Sequence, residues 1–262
     1  MFAAKTVMLF GALWILLAFF ILPAHASGGP EALLSIDTFP LIDNPIPVQQ
    51  AHLTWLCGKE EDGMQATIDY LSSMGATTGS LSAIMETFHA SAASVPSIAS
   101  GTGLMQALGS FRIQTRQFRD ETDVQMNAVH GSAGELRAIV HATADTSAKV
   151  HALEDQFWQT RRQCVLADFD QRVKTSQNIL NLLSERGYEI TPAQEKLNEI
   201  SAVRGRLVAA LDDRDDAGIE EASQEIHVIS MGLARWVRDI QVTPPAATRP
   251  DDPLYASYDT GW

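Results

Sequence analysis

From Leu104 to Phe157 a stripe of residues recurs at alternating spacings of four and three: Leu104, Leu108, Phe111, Thr115, Phe118, Thr122, Gln125, Val129, Ser132, Leu136, Ile139, Thr143, Thr146, Val150, Leu153 and Phe157. That spacing averages 3.5 residues per turn, the heptad pattern of a helix that keeps one face against its neighbours. Unbroken, the segment predicts a rod of about 80 Å at 1.5 Å per residue. Thr, Ser and Gln at several seam positions pack loosely, so the stripe points to a helix lying against other helices of the same chain. One competing signal divides it. In His130-Gly131-Ser132-Ala133-Gly134-Glu135, Ser132 and Glu135 have capping-box spacing beside two glycines.

Around this segment the pattern is helical throughout. Met64, Ile68, Leu71, Leu81, Met85 and Phe88 predict a first helix weakened by Gly75 and Gly79, and Pro96 to Gly103 turns the chain. After Phe157 the register passes to Phe169, Val173, Leu180 and Leu183, with Gly187 as a C-cap. Thr191-Pro192-Ala193-Gln194 predicts a new start with Thr191 as N-cap, and Leu197, Ile200, Leu207 and Leu211 follow as its apolar face. An acidic turn, 212–218, leads to a last helix carrying Ile219, Ala222, Ile226, Ile229, Leu233, Trp236 and Ile240. No segment alternates as a strand does. The fold class is therefore all-α: an elongated helical bundle with a long heptad-patterned helix and a C-terminal helical hairpin.

The ends have a different character. Lys5, an uncharged apolar run from Val7 to Leu22, and Ala24-His25-Ala26 form a signal peptide over residues 1–26, and cleavage places the mature start near Ser27. The alternative is a retained membrane anchor, since the run is a little short of the roughly 20 residues a spanning helix needs. Residues 27–50, with four prolines, are an extended leader; 51–187 hold a long helical hairpin and 188–242 a shorter one. Residues 243–262, with Pro244, Pro245, Pro250 and Pro253 before Tyr255, Tyr258 and Trp262, are a disordered tail. The expected location is extracytoplasmic, periplasmic or secreted.

Composition narrows the partners. The chain carries 19 basic and 32 acidic residues, a net −13; loss of residues 1–26 removes only Lys5 and leaves −14. An acidic surface repels phosphate backbones, and the densest basic group, Arg161, Arg162, Arg172 and Lys174, is interleaved with Asp168 and Asp170, so nucleic acid is excluded. The expected partner is a protein in the envelope or at the cell surface, and a membrane enters only if the signal segment stays as an anchor. Two cysteines in an oxidising compartment predict one disulfide, Cys57 to Cys164. Yet with a hairpin turn near residue 99, Cys164 falls about 45 Å along the helix from the level of Met64, so the bridge and a straight hairpin exclude each other.

No motif names a reaction. Glu86 and His89 have the Glu-x-x-His spacing of a bundle metal site only once. His141 and Asp145 lie one turn apart with His130 on nearly the same face, a candidate metal pair opposed by the charge of Arg137. The acidic turn fails the calcium-loop template, because Gln224 stands where the bidentate Glu belongs; capping by Asp215 and Asp216 explains it. His130 to Gly134 is out of register for a nucleophile elbow. No cofactor is implied and no enzyme is expected. Phe111, Phe118, Phe157 and Trp158 are the candidate partner contacts, with core packing as the ordinary alternative. The stretch from Phe169 to Val242, with Glu185-Arg186-Gly187-Tyr188 before the Thr191 start, resembles secreted prokaryotic α-helical proteins of unassigned function, a likeness that implies an all-helical extracytoplasmic protein and no site residue.

The expectation is a non-enzymatic extracytoplasmic helical scaffold or binding module. The alternatives are a periplasmic metal-responsive or metal-buffering bundle and a subunit of a surface filament or secretion apparatus.

Overall fold

The computed structural model describes residues 45–185 and 187–242. The signal peptide, most of the leader and the C-terminal tail lie outside these residues. Seven α-helices and one short 3-10 turn account for the described chain: α1 (Ile46–Ser73), α2 (Gly79–Ala92), the 3-10 turn Val95–Ser97, α3 (Gly101–Val129), α4 (Ala133–Thr146), α5 (Ala148–Glu185), α6 (Thr191–Asp212) and α7 (Asp216–Val242). The protein is an all-α helical bundle. It divides into two compact units, and the division falls within α5, between Cys164 and Val165.

In the N-terminal unit α1 is the central helix, packing against α2, α3 and α4. It begins earlier than the sequence predicts, because Pro47 sits in the first turn, where its missing N–H has no helical partner to lose. The predicted first helix is two helices. Gly75, at φ 83°, ends α1, and the Ala76 N–H reaches back to the Leu71 carbonyl at 3.0 Å, so the chain turns into α2. The start of α1 is tied to the next turn by Gln50 Nε2, which donates to the carbonyls of Pro96 (3.1 Å) and Ile98 (2.8 Å). Leu53, Leu71, Leu81, Phe88, Leu104, Leu108 and Phe111 form the centre of the core between α1, α2 and α3.

The long stripe is legible, but its rod is not. Leu104, Leu108, Phe111, Thr115, Phe118 and Thr122 are all buried, as the heptads predict. At His130 the competing signal prevails: the residue takes a left-handed φ of 55°, and the Gly131 N–H closes on the Met126 carbonyl at 2.9 Å. The chain then doubles back along α1. Val140 lies by Gly63, Ser147 by Asp62, Leu153 by Gly58 and Phe157 by His52. A second break at Ser147, extended at ψ 113°, separates α4 from α5. Its hydroxyl accepts from the Val150 N–H at 3.2 Å and donates to Asp62, so the break is capped from within.

Both cysteines are free thiols, which corrects the expected Cys57 to Cys164 disulfide. The reason is axial offset. Gly58, next to Cys57, packs against Leu153, and Cys164 lies eleven positions beyond it, about 16 Å along the helix at 1.5 Å per residue.

The C-terminal unit contains the predicted hairpin of α6 and α7. Ala193, Leu197, Ile200, Val203, Leu207 and Leu211 bury one face of α6, and Ile219, Ala222, Ile226 and Leu233 bury one face of α7. Gly187, at φ 83°, caps α5 as predicted, with the Tyr188 N–H on the Leu183 carbonyl at 3.1 Å. Thr191 is the first helical residue rather than the N-cap, and its N–H is taken by the Glu189 carboxylate at 2.8 Å. Asp215 caps α7 through the Ala217 N–H at 3.1 Å.

Candidate functional site

Helices α3 and α4 both rest on α1, and an open cleft of about 690 Å³ lies between them. Its floor is α1 at Gly63, Met64 and Thr67; one wall is α3 from Thr115 to Asn127, and the other is α4 from Ala133 to His141. Glycine at position 63 matters, because a Cβ there meets Val140 Cγ1 at 3.3 Å; its absence lets α4 lie close to α1. Helix α4 has no buried residue, and Leu136, Ile139 and Val140 are only half-buried. The apolar stripe of this helix is thus partly uncovered along the cleft.

The interior of the cleft is apolar with polar edges. Met64, Phe118 and Met126 are buried at its base. Thr67 and Thr122 direct their hydroxyls back to their own helices, onto Gly63 O and Phe118 O at 2.8 Å each. Thr115 does not: its hydroxyl is buried and has no hydrogen-bond partner among the described residues. Glu60, Arg119, Asp123, Arg137 and His141 complete the lining.

The corner that opens the cleft is held by a tyrosine. The Ser132 N–H donates to Tyr70 Oη at 3.2 Å, and Tyr70 Oη donates to Glu135 Oε2, also at 3.2 Å. Meanwhile Ser132 Oγ accepts the Glu135 N–H at 3.3 Å. In a capping box the acid reaches back to the serine N–H directly. Here the hydroxyl of α1 stands between the two, fastening the start of α4 to the central helix.

At the next level a charged group links three helices. Glu61, with its side chain 12% exposed, receives Lys149 Nζ at 2.5 Å and faces His89 Nδ1 at 2.9 Å; Lys149 also stands 3.6 Å from Asp62. Burial alone pulls the Lys149 ammonium down, but the Glu61 and Asp62 carboxylates outweigh it and hold its pKa above the ordinary value. Beside them, burial pushes the Cys57 thiol far up, with Glu61 and Glu60 adding to the effect, so it stays neutral and unreactive. Below the charges, His52 and Trp55 stack with Phe157 at 4.7 and 5.6 Å, Arg161 lies 4.9 Å over Trp158, and Lys59 lies 5.3 Å over Trp55.

The candidate partner contacts are therefore scattered and mostly interior. Phe111 is fully buried against Phe88, Phe118 lies at the cleft base, and Phe157 is held in the aromatic stack; Trp158 alone is half-exposed. Their period marked core because the heptad seam is the buried face. His141 and Asp145 are exposed on α4, and His151 meets the Asp145 backbone carbonyl at 3.0 Å. His89, of the Glu-x-x-His pair, is turned to Glu61. Among the described residues, no three His, Cys, Asp or Glu side chains stand together as metal ligands do, and no helix is long and apolar enough to cross a membrane.

Sequence reasoning missed Tyr70, Glu61, Lys149, His52 and Trp55, and that Met64 and Met126 line one cleft. The one available signal was Val48, His52 and Leu56, which continue the helical spacing upstream of Met64. The chain matches no protein-family model, no curated protein and no solved structure.

Proposed function

We propose that this chain is a non-enzymatic binding module that works outside the cytoplasm, with the cleft of its N-terminal unit as the receiving surface. The observation that carries the reading is the unclosed side of the unit: α4 buries none of its residues, and its half-buried Leu136 and Val140 line an open cleft whose base is the buried Met64, Phe118 and Met126. Ordinary bundles close such faces, because each Å² of apolar surface left in water forgoes about 25 cal/mol. Open, part-apolar surfaces of this kind are where proteins receive ligands and partners. Export rests on the leader pattern of residues 1–26, and the acidic balance fits a module that stays dispersed.

The test is site-specific photocrosslinking in the native host. A photoreactive side chain at Asn127, on the cleft wall, is expected to yield a discrete adduct, whereas one at Val228, 70% exposed on α7, yields none. The same recovered protein should begin near Ser27 and lie outside the cytoplasm. Equal labelling at both positions, or a cytoplasmic protein with its first 26 residues intact, sinks the reading.

A further inference from the structure

We propose that the cleft between α1, α3 and α4 binds a free single-chain carboxylate amphiphile, with the chain along Met64, Phe118 and Met126 and the carboxylate against Arg137. The inference rests on the cleft being the receiving surface and adds the chemistry of what enters it.

Size and lining favour a small amphiphile. A volume of about 690 Å³ lies inside the usual range for small-molecule clefts. Its α3 wall, Thr115 to Asn127, is about 18 Å long at 1.5 Å per residue, a trough rather than a round hole. Two thioethers face it from different helices, and methionine adapts to flexible apolar chains better than branched side chains do.

Charge places the head group. Arg137, exposed on α4, has no ion pair or hydrogen bond among the described residues, although acids outnumber bases 32 to 19 in the chain. A guanidinium offers a carboxylate two parallel N–H donors. His141, one turn further on, lines the same wall. On the facing wall Asp123 repels an anion, and Arg119 and Glu60 already hold other interactions. The carboxylate therefore sits on the α4 side. Thr115, 4% exposed on the same cleft, has a buried hydroxyl without a hydrogen-bond partner among the described residues, a polar atom that a ligand oxygen reaching the base would satisfy.

The experiment is calorimetric titration of the chain, as recovered from its host, with decanoate. Binding is expected, with decanol weaker by about tenfold because it lacks the charge-assisted pair. Arg137→Ala should lose about tenfold and Arg137→Lys less, since the lysine keeps the charge but not the fork. Asp123→Asn should tighten binding by about twofold, an exposed charge being well screened. Both positions are exposed, so unchanged melting of the three variants separates lost recognition from lost folding. Equal affinity for decanol, indifference to Arg137→Ala, or no heat with decanoate overturns the proposal. So does Arg137-dependent binding to phosphatidylglycerol vesicles without a response to free decanoate, which assigns the arginine to a membrane surface. Crosslinking at Asn127 that persists after such a failure keeps the binding-module reading, and loss of both removes both.

Discussion

The two units are built from the same secondary structure but hold their helices together differently. In the C-terminal unit the α6–α7 hairpin closes on Leu, Ile, Val and Ala, and its ion pairs, Arg204 to Asp170 and Arg206 to Glu225, lie at the surface. In the N-terminal unit the buried core lies in α1, α2 and α3, Leu136 and Ile139 of α4 pack on it only half-buried, and the return of α4 and α5 along α1 adds polar fasteners to the apolar contacts of Val150 and Phe157: Tyr70 at the corner, Ser147 on Asp62, and Lys149 on Glu61. Apolar stripes close a hairpin on every side they reach. Polar fasteners hold a helix at chosen points and leave the surface between them open, which is how the cleft persists.

The sharpest way to break this contrast is at the core. Phe111→Ala should cost about 3–5 kcal/mol, the usual loss for a buried ring. Hydrogen exchange should rise across α1 to α3, while the amides of α6 and α7 stay protected; a rise in both sets would erase the distinction between the units. Tyr70→Phe should cost about 1–2 kcal/mol, because it strands the Ser132 N–H and the Glu135 carboxylate at a partly buried corner. Urea melts measure the loss, and faster exchange of the Ser132 amide locates it. No loss would mean that the apolar contacts of α4 suffice.

The Cys57 thiol sharpens the comparison through pH. Its folded pKa is raised above the ordinary 9.0, chiefly by burial. Above that value the unfolded chain gives up a proton that the folded chain keeps, so stability is complete below pH 9 and falls as pH rises. The slope should approach about 1.4 kcal/mol per pH unit, and Cys57→Ala should flatten it between pH 9 and 10. A slope that survives the substitution refutes the assignment. The smallest effect belongs to the C-terminal surface. Arg206→Gln should leave melting at 0.15 M salt unchanged, since exposed pairs are screened; a clear loss would show that this unit too depends on polar fasteners.

Period made the fold class legible. The heptad stripe marks Leu104 to Thr122 as buried, the α6 stripe is buried at all four expected positions, and that of α7 at Ile219, Ala222, Ile226 and Leu233, with Ile229 and Trp236 half-buried, because each repeats over several turns against one apolar partner. Direction was harder to read. A seam with alternating spacings of four and three looks the same whether the helix continues or doubles back and buries the same face, and Ser132 with Glu135 was the only local sign of the reversal. The break at Ser147 had none, since its cap partner Asp62 comes from another helix. Proline misled at the start of α1, where Pro47 in the first turn opens a helix instead of barring one. The cleft was out of reach for a related reason: Met64, Thr115 and Arg137 lie on three helices and share no spacing.

The corner at Ser132 depends on a hydroxyl contributed 62 residues earlier, and this ties its stability to the rest of the unit. A contact across so long a loop forms only after the intervening chain has been gathered in, since closure entropy must be met first. Tyr70 can hold α4 only when α2 and α3, which lie inside that loop, are gathered onto α1 as well, so this fastener has a closure entropy to offset that a contact within one hairpin does not.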